Sequence, residues 1–165
     1  MSVVPTGILS APLAALRDMV AASTDFQAWA TAADATEAAD HVHLLVAPAN
    51  APTPYVLIDF GTLVRERTAI ANRTPFQTIS TSDLVVWIHA DAATDDEPDA
   101  TLDFCNHVGA LWAHLENIAG IHQDTRLALN RIELINPPTR VEEENRDTAG
   151  DYFECALSAS YTRLP

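Results

Sequence analysis

Apolar positions first fall into helical register at Leu13, Leu16, Met19 and Val20, which share one face of a 3.6-residue repeat. Ser10 stands where an N-cap would, and Pro12 suits the first turn, where a missing N–H goes unused. The pattern predicts a helix ending near Ser23 and Thr24, with Phe26 and Trp29 packing the chain's exit onto the core. Residues 30–40, rich in Ala, Thr and Asp, fit helix or loop equally.

The pattern then turns to strands. His41 to Ala47 (HVHLLVA) and Tyr55 to Phe60 (YVLIDF) are near-continuous apolar runs separated by a proline-rich loop, Pro48 to Pro54. Gly61 to Pro75 is polar and carries Arg65, Arg67 and Arg73, which reads as an extended arm or hairpin. Phe76 to His89 follows as a long strand, and Asp91 to Asp99 as an acidic, solvated loop.

The clearest element is a second helix. Asp99 or Thr101 can cap it, and Phe104, Val108, Leu111, Leu115 and Ile118 recur at alternating four and three residues as one apolar stripe. Gly120 suits the position just past its end. Arg126 to Ile135 reads as a strand whose alternation changes phase, predicting a bulge near Asn130 and Arg131, with Pro137 and Pro138 closing it. Residues 139–149 form a charged loop. Asp151 to Tyr161 is the last strand, with Phe153, Cys155, Leu157, Ala159 and Tyr161 on one face.

Helix, three strands, helix, two strands is an α+β order. It predicts a mostly antiparallel sheet of about five strands with two main helices packed on one face, in a single domain spanning residues 1–165. A chain of 165 residues suits that domain count. It is long enough to bury roughly 70% of its unfolded surface.

Composition narrows the possible roles. The 23 acidic residues face nine basic ones, all arginine, for a formal charge of -14. That balance opposes tight binding to a phosphate backbone, which needs clustered cations, and opposes an anionic membrane surface. The Ala-rich N-terminus lacks a basic start, and Pro12, Arg17 and Asp18 interrupt its apolar run, so no signal peptide is expected. No uninterrupted apolar run reaches the ~18 residues of a membrane-spanning helix.

Candidate chemistry is sparse. The sequence has no GxSxG, P-loop or GxGxxG pattern, so the expectation is a protein that is not an enzyme, without a cofactor. Cys105 and Cys155 lie in apolar periodic stretches, which suits two buried thiols and leaves a disulfide open; without CxxC spacing they do not make a zinc site. His41 and His43 have HxH spacing, which puts both imidazoles on one strand face and can seed a metal site. No acidic or histidine motif completes it, so two half-exposed strand histidines is the expected reading, with no metal. His107 follows Asp103 by four residues on the second helix and suits a surface ion pair. Glu142, Glu143 and Glu144, beside Arg140 and Arg146, lack the fixed spacing and turn glycine of a calcium loop. Asn72-Arg73-Thr74 matches a glycosylation acceptor only by chance, given Pro75 and no signal peptide.

What remains suits assembly. An arginine-bearing arm at 61–75 and a mixed-charge loop at 139–149 stand in an otherwise acidic chain, and opposite signs on two loops let one subunit dock on its neighbour. In a head-to-tail contact such complementarity closes rings. Trp112, off the centre of the helical stripe, suits a place where that helix meets another subunit.

Over roughly residues 10–161, the succession of YVLID, a polar arm, LVVWIHA, TLDFCNHVGALWAHLENI, LALNRIELINPP and GDYFECALSASY resembles the tail terminator (tail completion) proteins of long-tailed bacteriophages. The resemblance implies a homo-oligomeric ring, typically hexameric, located in the virion tail or neck and assembled in the host cytoplasm. Such a ring caps the tail tube, ends polymerisation of the tube protein and offers a surface to head-completion or neck proteins. DNA passes its lumen without specific binding, and no membrane is involved. By the same resemblance Arg65, Arg67 and Arg73 would touch a neighbouring subunit or the tube. Arg140, Glu142, Glu143, Glu144 and Arg146 would form a second such edge. A head-closure or neck adaptor ring, or an acidic protein-binding module such as an immunity protein, are the alternative readings. A small enzyme or metal-binding protein built around His41 and His43 is the third.

Overall fold

In the computed structural model of the protein, the described residues are 9–64, 81–92, 98–118, 121–122, 127–142 and 151–163. The chain begins with helices α1 (Ser10–Ala21), α2 (Thr24–Trp29) and α3 (Ala35–Ala38) and a 3-10 turn (Ala39–His41). Strands β1 (Val42–Leu44), β2 (Tyr55–Val64) and β3 (Thr81–Asp91) follow, then the long helix α4 (Pro98–Ile118) and strands β4 (Ile121–His122), β5 (Leu127–Val141) and β6 (Tyr152–Arg163). The strands form one sheet in the order β1-β2-β3-β6-β5-β4. The fold is α+β, as expected, with six described strands rather than about five.

The pairing is antiparallel except at one edge, where β1 runs parallel to β2. The seven-residue strand expected at 41–47 is cut to three because Leu45 turns into the left-handed region at φ 66°. Its N–H still donates to the Ile58 carbonyl at 2.9 Å, and the chain then leaves the sheet toward the proline-rich loop, where the Thr53–Pro54 bond is cis. At the other side β5 runs past Pro137 and Pro138, which were expected to end it. Both fall between Asn136 and Thr139, where the register with β6 shifts, so their missing N–H groups interrupt no ladder pair. The expected bulge near Asn130 and Arg131 is present as the shift between Leu129 and Arg131.

The core lies on one side of the sheet. Alternate residues of the central strands line up across it: Val56, Ile88 and Cys155 form one row, and Ile58, Val86 and Leu157 the next. All six are fully buried. They share one core cluster with Leu16 and Val20 of α1 and Phe104, Val108, Leu111 and Leu115 of α4. The sequence had set Phe153, Cys155, Leu157, Ala159 and Tyr161 on one face of the last strand, and all five are buried. Helix α1 packs toward β1 and β2, and α4 toward β5 and β6, so the two main helices divide one face between them. In α4 the stripe is buried through Leu115, while Ile118 at the last turn is exposed.

Local chemistry sets the helix ends. Ser10 is the first helical residue of α1 rather than its cap. Ser23 caps α2, its hydroxyl accepting from the Phe26 N–H at 3.3 Å, and Asp34 caps α3 through the Thr36 and Glu37 amides. The segment at 30–40, open between helix and loop, is both: a turn through Asp34, then the short helix and the 3-10 turn. α2 ends in a Schellman arrangement: the Ala32 N–H donates to Gln27 O at 2.9 Å and the Thr31 N–H to Ala28 O at 3.2 Å. Thr31 occupies the left-handed position at φ 56°, where glycine is the usual residue. In β2, Gly61 sits in the register shift between Phe60 and Leu63. A Cβ there would lie 3.1 Å from Asp83 O and 3.2 Å from a Val85 methyl, so the strand needs a glycine to approach β3 this closely.

Two stability changes follow. Thr31→Gly should raise the free energy of unfolding by about 0.5–1 kcal/mol, because relief of the left-handed β-branched residue outweighs the added freedom of the unfolded chain. Leu115→Ala, at a fully buried position, should lower it by about 2–5 kcal/mol. Denaturant melts of the two variants beside the wild type measure both.

Candidate assembly surface

The opposite parity of the same strands builds the second face of the sheet. Tyr55, Leu57 and Asp59 of β2 stand beside His89, Trp87 and Val85 of β3, and these beside Glu154, Ala156 and Ser158 of β6. Ala156 is fully buried; the others are half-buried. None of these residues belongs to the cluster that α1 and α4 cover. The face thus mixes aliphatic, aromatic and acidic groups that shield one another laterally.

At one end of this face a row of four rings crosses four adjacent strands. His43 of β1 meets Tyr55 of β2 edge-on at 5.6 Å, Tyr55 stacks on His89 of β3 at 4.8 Å, and His89 lies 6.0 Å from Tyr152 of β6. The Glu154 carboxylate approaches His89 Nδ1 at 3.7 Å and accepts from the Asn136 amide at 3.4 Å. Burial pushes the His89 and His43 imidazoles below their ordinary range, helped at His43 by the nearby His41, and pushes the Glu154 carboxyl up. Burial, together with the charges of Tyr152, Glu154 and Asp91, raises the Tyr55 phenol. His43 Nε2 is buried with no hydrogen-bond partner among the described residues.

The HxH pair does not converge. His41 lies in the 3-10 turn, and its Nδ1 donates to Pro54 O at 2.8 Å, while only His43 is in the strand. Among the described residues no three of His, Cys, Asp and Glu gather to hold a metal ion. On α4, His107 lies 3.6 Å from Asp103, the pair expected from their spacing, and stacks flat on Trp29 at 4.5 Å. Cys155 is buried, its thiol donating to Asn136 O at 3.2 Å and pushed up to about 11 chiefly by burial; Cys105 is half-buried, and the two form no disulfide. Trp112 is half-buried, and its Nε1 is a buried donor without a partner among the described residues.

The charged residues singled out in the sequence are divided. Arg65, Arg67, Arg73, Glu143, Glu144 and Arg146 lie outside the described residues. Arg140 is half-buried at the end of β5 and donates from Nε to Asp151 Oδ2 at 3.0 Å, with Nη2 bonding the same oxygen. Its charge thus fastens the end of β5 to the start of β6. Glu142, just past β5, is exposed. The ring row was missed in the sequence reading, although Tyr55, Leu57 and Asp59 already alternate as the outward half of a strand.

The two sheet edges complete the surface. β1 covers only Val56 to Ile58 of β2, leaving 59–64 without a partner strand on that side among the described residues. β4 covers only Leu127 and Ala128 of β5, leaving 129–141 similarly open. Exposed Leu134 and Ile135 lie on that second edge.

The half-buried imidazoles of His43 and His89 set a pH dependence. With folded values below the unfolded 6.5, their contribution is full above 6.5 and is lost as pH falls through 6.5 toward the depressed folded values. Glu154, shifted up from 4.5, acts in the opposite sense, so the informative quantity is the difference between wild type and variant. His89→Asn should flatten the decline of the melting temperature between pH 7.5 and 5.5, measured by thermal melts in matched buffers.

No protein-family model matches the sequence, and no curated protein matches it at a significant level. Solved structures do match. One is a chain from the virion of a native gene transfer agent particle, at 17% identity with a TM-score of 0.46, covering 98% of this chain and 99% of that chain. A likeness of that degree carries no inference about role.

Proposed function

We propose that this chain is a non-catalytic virion structural protein, and within that class a ring-forming tail terminator. In this role it caps the tail tube, ends polymerisation of the tube protein and presents a surface to a head-completion or neck protein. The observation that carries the reading is the half-buried outer face, flanked by two edges that no described strand covers, with the described helices α1 and α4 on the opposite face. Sheet surfaces of this kind suit burial against further protein. The element order that resembles tail terminators gives the reading its specific form. A formal charge of -14 agrees with a lumen past which DNA slides, because phosphate meets no net attraction there.

The same acidity favours one competitor, a module that binds a basic protein one to one. Mass measurement by sedimentation over a concentration series, with and without tail tube protein, separates the two. The expected result is a ring, formed alone or on contact with tubes, and tubes that stop lengthening. A strict monomer indifferent to tubes overturns the proposal, and a single basic partner bound one to one selects the competitor.

A further inference from the structure

We infer that copies of this chain join edge to edge, the β5 edge that no described strand covers in one copy pairing antiparallel with the corresponding β2 edge in the next, so that the sheet continues across the subunit boundary. The inference rests on the self-assembly proposed above and names the surface that performs it.

Strand polarity is the first argument. β2, β3, β6 and β5 are each antiparallel to the next, so β2 runs opposite to β5 within one copy. A neighbour carried alongside by a modest rotation keeps its polarity, and its β2 therefore arrives antiparallel to this copy's β5. The two edges differ, so the contact is head to tail and propagates around a ring instead of ending at a dimer.

Charge is the second argument. Two copies each carrying -14 repel over most of their surfaces. Residues 129–136 of β5 hold only Arg131 and Glu133 as charges, and these two are bonded to each other. Residues 59–64 of β2 hold only Asp59, whose carboxylate already accepts from the Phe60 N–H. Edge strands are ordinarily guarded by charge or proline. In this chain the guard on β5 is Pro137 and Pro138, which donate nothing and confine the receptive run to 129–136. Within that run Leu134 and Ile135 are 38% and 53% exposed, apolar area that a neighbouring strand would cover.

Irregularity is the third. The register of β2 shifts between Phe60 and Leu63, and that of β5 between Leu134 and Asn136. Bulged edges pair poorly with an arbitrary strand, which favours one matched partner over indiscriminate aggregation.

Ile135 is the residue with which to test this. It falls in the register shift and is paired with no residue of β6, so Ile135→Glu leaves the β5–β6 ladder in place. The variant should raise the protein concentration needed for assembly at least tenfold, while Leu102→Glu, the same kind of change at an exposed apolar position on α4, should not. In wild type, hydrogen exchange of backbone amides in 129–136 should slow at least tenfold on assembly. That second readout stands if the Glu variant fails to fold. Assembly with unchanged exchange there, or an Ile135→Glu variant that assembles like wild type, overturns the edge pairing and leaves the proposed function intact. A wild type that never self-associates, even on tubes, overturns both.

Discussion

The cross-strand register of β2, β3 and β6 governs where everything else in this molecule can go. Val56, Ile88 and Cys155 share one row and Ile58, Val86 and Leu157 another, all beneath the helices. A slip of one residue in β3 would bring Trp87 and His89 into the core and send Val86 and Ile88 to the outer face. Burial of these rows holds α1 and α4 against one side. The same alternation leaves Tyr55, Leu57, Trp87 and His89 on the other side, so the core and the outer surface have one cause.

Much of that alternation was legible in the sequence. The last strand and the stripe of α4 could be read residue by residue, because each has one apolar face and a clean period. The bulge near Arg131 showed as a change of phase. Three features were hidden, each for a physical reason. β1 stops at Leu44 because a non-glycine residue adopts the left-handed conformation, which no local pattern announces. Its parallel pairing with β2 depends on a crossover through a proline-rich loop, whereas the apolar run looks alike in either direction. Pro137 and Pro138 read as a stop, yet the strand absorbs them where its register shifts.

The site was less legible than the fold. Sequence reasoning looked to charge, and most of the charges it chose lie outside the described residues. Arg140, which lies within them, is engaged with Asp151 in its own chain. The outer face instead draws its character from rings and aliphatic groups contributed by four strands, and no linear motif gathers residues from β1, β2, β3 and β6. Even the HxH pair divides, His41 turning to a backbone carbonyl and His43 joining the ring row.

The bond between Arg140 and Asp151 has a mechanical meaning. It closes the mouth of the β5–β6 pair at the end from which the intervening residues emerge. Tension applied to those residues would meet this clasp before reaching the ladder hydrogen bonds deeper in the sheet. The strands would therefore resist peeling from that end, and raising the ionic strength, which screens a partly exposed ion pair, would make them easier to part.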